Sequence, residues 1–168
     1  MPFIARGRQV MEKGGREMEV RLRDVDEKNW LECIRLTTDP LGRHVLFEEF
    51  VASNAVSIAQ SRIQDGWTTK AIYDGDLMVG FTMYGYSREL GIYEVCRLMV
   101  DHRYQNRGYG RKALELVLEE MMRIRGCREV YLSFEPTNDR GRKLYSSFGF
   151  RDTGRIVDGE LLYRLDLV

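Results

Sequence analysis

The feature that most narrows the folds open to this chain is a change of hydrophobic period across Val100-Asp101-His102-Arg103-Tyr104-Gln105-Asn106-Arg107-Gly108-Tyr109-Gly110-Arg111. Before this stretch, Ile92 to Val100 reads as a strand. After it, Leu114, Val117, Leu118, Met121 and Ile124 recur at helical spacing, and Gly126 is expected to end the helix. Val130, Leu132 and Phe134 then mark a buried strand, so the segment makes one β-α-β unit. Upstream the grammar is different. Trp67 to Tyr73 and Leu77 to Tyr84 read as strands joined by a tight turn at Asp74-Gly75-Asp76, and with Ile92 to Val100 they form an antiparallel meander. A chain that joins such a meander to a single β-α-β crossover has to build a mixed sheet.

The remaining segments extend this plan. Val20, Leu22 and Val25 alternate with Arg21 and Arg23, which predicts a first strand. Asp26 is expected to cap a helix that turns Trp30, Leu31, Ile34 and Leu36 toward the core, with Pro40 and Gly42 as its breakers. A second helix is predicted from about Leu46 to Ile63. Near the end, Thr137 or Asn138 caps a helix carrying Leu144, Tyr145 and Phe148, which stops at Gly149. Asp158-Gly159 turns a last pair of strands. The order β-α-α-β-β-β-α-β-α-β-β predicts an α+β fold, an α/β/α sandwich whose mixed central sheet carries helices on both faces. With 168 residues the chain fits one domain, taken as 18–168. Residues 1–17 contain Gly7, Gly14 and Gly15 without periodicity and read as an N-terminal tail.

Charge and cysteine usage remove several classes of function. The formal net charge is zero, whereas a nucleic-acid binder normally shows a basic excess. No apolar run reaches membrane-spanning length, and Phe3-Ile4-Ala5 is too short for a secretory core. Cys33, Cys96 and Cys127 are odd in number and widely spaced, which suits reduced thiols in the cytoplasm. His44 and His102 are the only histidines and have no zinc spacing around them, so no metal is expected.

The strand-to-helix stretch also carries chemistry. Gly108 and Gly110 allow the backbone to approach a ligand closely. The first amides of the helix that follows are unpaired and sit at the positive end of its dipole, a site suited to a pyrophosphate. Arg103, Arg107, Arg111 and Lys112 add charge nearby. Two other readings stand beside this one. The stretch is also compatible with a plain turn carrying solvated arginines. Gly108-x-Gly110-x-x-Ala113 also fits a dinucleotide fingerprint, but that fold wants the fingerprint after the first strand of a parallel series.

Gln105-Asn106-Arg107-Gly108-Tyr109-Gly110 resembles the Q/R-x-x-G-x-G/A signature of the Gcn5-related N-acetyltransferases. Asn138-Asp139-Arg140-Gly141-Arg142-Lys143-Leu144-Tyr145, followed by Phe148-Gly149-Phe150, is similar to that family's N-x-x-A-x-x-L-Y-x-x-x-G-F landmark. Gly141 replaces the usual alanine there, at a cost of about 1 kcal/mol of helix stability. Tyr73 to Tyr84 resembles the family's second and third strands, and the resemblance runs from about Met18 to Val168. Phe50 to Ala55 and Arg97 to Gln105 look most like the bacterial spermine/spermidine acetyltransferases.

The resemblance implies a mostly antiparallel sheet and acetyl-CoA as cosubstrate. It implies direct attack on the thioester by a small-molecule primary amine, a polyamine such as spermine or spermidine among them. By carry-over, Leu98, Met99, Val100, Gln105, Asn106, Arg107, Gly108, Tyr109, Gly110, Arg111, Asn138 and Tyr145 would meet the cofactor, the first three through their backbone. Asn138 is also readable as a helix cap. Tyr145 would donate to the departing thiolate, against a reading as a core aromatic beside Leu144 and Phe148. An alkyl ammonium near pKa 10.4 must lose a proton before it attacks. Glu94 is the first candidate to receive it, Glu135 the second, with a water chain as the alternative. Asp39, Glu48, Glu49 and Glu94 are candidates for an acidic acceptor site, and Glu48 and Glu49 equally read as a solvated helix face. The resemblance further implies a homodimer. A non-catalytic acetyl-CoA sensor is the alternative function.

Overall fold

The alternating segments pair into one seven-stranded sheet, as seen in a computed structural model that describes residues 17–39, 41 and 53–167. The elements in chain order are β1 (Val20–Asp24), α1 (Trp30–Arg35), α2 (Asn54–Ile63), β2 (Trp67–Asp74), β3 (Leu77–Ser87), β4 (Ile92–Val100), a 3-10 turn (His102–Tyr104), α3 (Tyr109–Met122), β5 (Glu129–Phe134), α4 (Asp139–Ser147), β6 (Arg151–Val157) and β7 (Glu160–Asp166). The strands lie in the order β1-β2-β3-β4-β5-β7-β6. Every neighbouring pair is antiparallel except β4 and β5. The sheet is therefore mixed and mostly antiparallel.

Helices cover both faces because the strands are apolar on both. On one face α3 presents Leu114, Val117, Leu118 and Met121 at helical spacing to Val130, Leu132 and Phe134 of β5, with Phe148 beyond the end of α4 in the same cluster. On the other, Cys33 of α1 and the adjoining Leu36 pack on Ala71, Phe81, Met83 and Met99, and Ile58 of α2 joins them. β5 lies inside the sheet and reads as an almost continuous apolar run, with all but its two polar residues buried.

Some local expectations change. Trp30 and Leu31 are exposed (43% and 46%), and the inward face of α1 is Cys33 with Leu36 after it. The helix starts later than expected because Asp26 does not cap it. The Asp26 carboxylate accepts the Lys28 amide at 2.8 Å, while Asn29 ties back to the Asp26 amide and the Asp24 carbonyl, both at 2.9 Å. That turn rotates the helical face. The second helix begins at Asn54, where the Ser53 hydroxyl accepts the Ala55 amide at 3.1 Å and the Val56 amide at 3.5 Å. α3 ends at Met122, ahead of Gly126. Asn138, not Thr137, caps α4 through a 2.8 Å bond from the Gly141 amide. Tail residues 1–16, Pro40, Gly42, Leu46 to Ala52 and, within that segment, Glu48 and Glu49 lie outside the described residues.

The β3–β4 contact that shapes the centre of the sheet needs a glycine. Gly80 pairs with Val100, and a Cβ on Gly80 would lie 2.3 Å from the Met99 carbonyl oxygen and 3.1 Å from Ile72 Cδ1. Neither a backbone oxygen in a paired strand nor a fully buried isoleucine can step aside cheaply. Gly80→Ala is expected to destabilise the protein by about 1–3 kcal/mol, read as a lower urea midpoint with an unchanged m-value. A midpoint equal to wild type would show that the β4 backbone is free to move.

Candidate functional site

β4 and β5 pair at a single register position, Glu94↔Tyr131. β4 keeps β3 on its other edge through Val100, while its β5-side edge parts from β5. The wedge opens into a groove of about 560 Å³. Leu98, Met99 and Val100 form one wall, the turn from Tyr104 to Arg111 forms the end, and Asn138, Arg140, Gly141 and Leu144 of the α4 region form the other wall.

The end of the groove is fixed by Asp101, a residue that sequence reasoning did not single out. Its side chain is 1% exposed and accepts the Thr37 amide at 3.1 Å, the Arg103 amide at 3.0 Å and Arg103 Nε at 2.7 Å. Burial alone would raise the Asp101 pKa. The bonds from Arg103 and Thr37 outweigh it and hold the carboxyl below its ordinary value. His102 donates its amide to the Thr37 carbonyl at 2.8 Å, and Gln105 Nε2 donates to the carbonyls of Thr38 (3.2 Å) and Val100 (3.1 Å). The turn is thus stitched both to β4 and to the segment after α1. An aspartate that caps the residue two positions on is an Asx-turn signal, and it was readable in Asp101-His102-Arg103.

Beyond Gln105 the backbone takes left-handed values at Asn106 (φ 66°) and Gly108 (φ 90°). Gly108 is the N-cap of α3 and makes no side-chain cap bond. The first helical bond runs from the Lys112 amide to the Gly108 carbonyl at 3.1 Å. The amides of Tyr109, Gly110 and Arg111 precede it at the positive end of the helix dipole. Gly110 sits where a Cβ would lie 3.9 Å from Val100 Cγ2 and 4.0 Å from Leu144 Cδ2, so any longer side chain enters the groove.

Not every residue expected at this site presents its side chain there. The Tyr109 ring is buried and its hydroxyl donates to Asp74 Oδ2 at 2.8 Å, which leaves its backbone for the groove. Arg111 donates to Ser147 Oγ at 2.7 Å and lies over the Phe148 ring. The Arg107 guanidinium stands 5.9 Å from the Tyr104 ring centroid, and Arg107 is not among the groove-lining residues. Arg140, not singled out from sequence, lines the groove and donates to Asn106 Oδ1, linking its α4 wall to its end. Gly141 also has a local reason. A Cβ there would stand 2.7 Å from Asn138 Nδ2, so glycine lets the Asn138 cap close over the helix.

Tyr145 follows groove-lining Leu144 on α4. Its ring packs on Phe134 (5.2 Å between centroids) and Phe150 (6.2 Å). Burial raises its pKa, and the nearby charge of Glu160 adds to the rise. No hydrogen bond within the described residues engages the hydroxyl. The site therefore holds a neutral phenol with its proton available. Glu94 is half-buried at the point where β4 and β5 part. Burial raises its pKa, a bond from Ser87 opposes the rise, and Glu89 and Glu160 add to it. Glu135 is exposed in the turn before α4. Asp39 is buried, with Oδ1 accepting the Leu41 amide at 2.8 Å, so that carboxylate shapes its own turn.

The site is thus a groove between a parted parallel strand pair, closed at one end by a left-handed turn and the positive end of a helix. The chain matches the acetyltransferase (GNAT) family over residues 22–150, and it belongs to that family. It is 36% identical over 90 residues to the spermine/spermidine N(1)-acetyltransferase of Bacillus subtilis (strain 168), a match covering 50% of this chain and 59% of that protein. It is 34% identical over 90 residues to the probable spermine N(1)-acetyltransferase of Bacillus subtilis subsp. natto, with the same 50% and 59% coverage. The match thus spans less than two thirds of these relatives. Among solved structures, the PaiA N-acetyltransferase of Thermoplasma acidophilum in complex with coenzyme A superposes with a TM-score of 0.64 at 16% identity, covering 89% of this chain and 99% of that one. A chimera of the spermidine N-acetyltransferase SpeG from Vibrio cholerae and hSSAT gives 0.69 at 13% identity, covering 89% and 96%. At such identities these two show the shared fold.

Asp101→Ala is expected to cost about 1–3 kcal/mol at pH 7, because buried partners lose their acceptor. The Asp101 pKa is depressed in the folded state, so its stabilisation is fully present above the unfolded value near 3.9 and fades as pH falls through the folded one. Urea midpoints of wild type and variant should differ at pH 5 to 7, and the gap should begin to close only below about pH 4, narrowing further as the folded carboxyl takes up its proton. A gap that persists unchanged in acid would contradict the role assigned to the carboxylate.

Proposed function

We propose that this protein is an N-acetyltransferase that moves the acetyl group of acetyl-CoA to a primary amine, with polyamines such as spermine and spermidine as the acceptor class. The observation that carries the reading is the continuity of the groove. One end offers the first amides of α3, the middle offers the β5-side edge of β4, and β4 and β5 part at Glu94, with Tyr145 next to groove-lining Leu144. An extended ligand with a pyrophosphate, an amide-bearing arm and a reactive tip fits that sequence of environments. Tyr109 to Arg111 would hold the pyrophosphate through their amides, and Leu98 to Val100 would pair with the arm as a strand edge does. Asn138 and Arg140 would close the other wall.

Acetyl-CoA supplies the activated acyl group as a thioester. The chain's own residues do the rest. Glu94 takes the amine proton, directly or through water, and burial that raises its pKa brings it closer to the amine's. A backbone amide near Leu98 to Val100 donates to the acyl oxygen as it gains charge. Tyr145 donates to the sulfur. From reference pKa values near 10 and 8.5, full proton transfer from phenol to thiolate is uphill by about 2 kcal/mol. The buried Tyr145 raises that further, so a strong hydrogen bond is the better description than a completed transfer. The acetyltransferase domain in this reading is 18–168. A cytoplasmic setting suits the three free cysteines, and the homodimer implied by the resemblance is open to a light-scattering measurement.

Tyr145→Phe is expected to lower kcat by about ten- to a thousand-fold with little change in acetyl-CoA affinity. Wild-type turnover in that variant would remove Tyr145 from the chemistry. Gly108→Asp and Gly110→Asp should abolish acetyl-CoA binding in folded protein, since each sets a carboxylate against a pyrophosphate and the first also strains a left-handed residue. Calorimetry giving wild-type affinity for both would dismiss the site. Thiol release from acetyl-CoA with spermine, spermidine and a panel of other amines tests the whole reading. Tight acetyl-CoA binding without turnover on any amine would favour a sensor instead.

A further inference from the structure

We infer that Thr82 and Asn54 are positioning residues: they hold Arg97 from opposite faces of the sheet and so aim the Leu98 amide at the acyl oxygen of bound acetyl-CoA. This rests on the reading above, in which the groove takes acetyl-CoA. Neither residue lies in the glycine turn or in the α4 landmark.

The β3–β4 register shows why Arg97 needs holding. Tyr84 pairs with Val95 and Met83 with Arg97, so Cys96 is an extra residue that bulges β4 and interrupts its ladder. Val95 packs in the cluster under α3. Strict alternation would send Arg97 to that face too. The extra residue switches it to the other face, where its Nε donates to Asn54 Oδ1 at 2.9 Å and Met99 packs with α1. The backbone groups alternate as well. The Asp101 amide donates to the Val79 carbonyl at 2.9 Å, so Asp101, Met99 and Arg97 turn their backbone groups toward β3. Leu98 and Val100 turn theirs to the opposite edge, where the Val100 carbonyl accepts from Gln105 Nε2 at 3.1 Å. β5 pairs with β4 at Glu94 and then parts from it, so the Leu98 amide faces the groove.

Two buried polar side chains then pin this one residue. Phe81 and Met83 point into the cluster beneath α1 and α2, so Thr82 between them points to the α3 face. Thr82 is fully buried, and its hydroxyl donates to the Arg97 carbonyl at 2.7 Å. A trans peptide sets its carbonyl and its N–H on opposite sides, so a fixed Arg97 carbonyl fixes the direction of the Leu98 amide. On the other face Asn54 is buried at the start of α2. Its Nδ2 donates to the Cys33 carbonyl of α1 at 2.8 Å while its Oδ1 accepts from Arg97. Arg97 Nε can only donate and the Cys33 carbonyl can only accept, so the Asn54 amide has one orientation. Burying a hydroxyl and an amide costs desolvation, and here both are used at the interruption of the ladder. A donor aimed in advance at developing charge needs no reorganisation when that charge appears.

The test joins amide exchange to kinetics on the full chain, for wild type, Thr82→Val, Thr82→Ser and Asn54→Ala. In wild type, acetyl-CoA should protect the Leu98 amide several-fold more than coenzyme A does. Thr82→Val should lose that difference and Asn54→Ala should reduce it, while protection at Tyr109 to Arg111 and coenzyme A affinity stay within about twofold. Turnover should follow, with kcat lowered roughly ten- to a hundredfold in Thr82→Val, below the full effect of deleting an oxyanion donor. Thr82→Ser, which keeps the hydroxyl, should recover most of both losses. Equal protection of the wild-type Leu98 amide by the two ligands, an unchanged difference in Thr82→Val and Asn54→Ala, or a loss that serine does not recover would each overturn the inference. A loss that extends equally to coenzyme A affinity would reduce both residues to structural ones and overturn it too. Because exchange is read without an amine, acetyl-dependent protection that Thr82→Val abolishes in a protein acetylating no amine would sink the proposed catalysis and leave this inference standing.

Discussion

The structure depends on β4 and β5 being neighbours that pair at one position and then part. A parallel pair that stayed zipped would satisfy its own backbone groups and leave no groove. Here the meander holds β4 from the other side through eight register pairs, from Gly80↔Val100 to Ser87↔Ile92, so β4 can present an open edge without leaving the sheet. β5 is secured in turn by β7 along its length. The opening is therefore bounded by two well-paired strands, which makes it a fixed feature of the fold.

Everything at the site is arranged around that opening. Asp101 anchors the turn at one end to the segment after α1 and lets α3 start with its amides facing the groove. The α4 region supplies the far wall, with Asn138 folded over Gly141 and Leu144 facing Gly110. Tyr145 comes one residue later and reaches the other side of the wall, among Phe134 and Phe150. The helix end of the groove and the parting of β4 and β5 at Glu94 are thus made by different elements of one wedge.

Much of this was legible in the residues. Alternation and helical spacing fixed the element order, and two glycines after a strand marked the turn and the helix end. What escaped has physical causes. The inward face of α1 depended on Asn29 reaching back to the Asp24 and Asp26 backbone, a contact that periodicity does not encode. Tyr109 and Arg111 both line the groove, but the ends of their side chains are held by Asp74 and Ser147, far off in sequence. Gly141 looked like a flaw in a helix until the Asn138 side chain was seen to occupy the space of its missing methyl group.

The central claim is that the free edge of β4 and the first amides of α3 form one ligand site. Amide hydrogen exchange followed by NMR, with and without acetyl-CoA, tests it most directly. The account predicts new protection at Leu98 to Val100 and at Tyr109 to Arg111 together, at one ligand concentration. Protection at the helix end alone, or binding that leaves both segments exchanging as before, would contradict it.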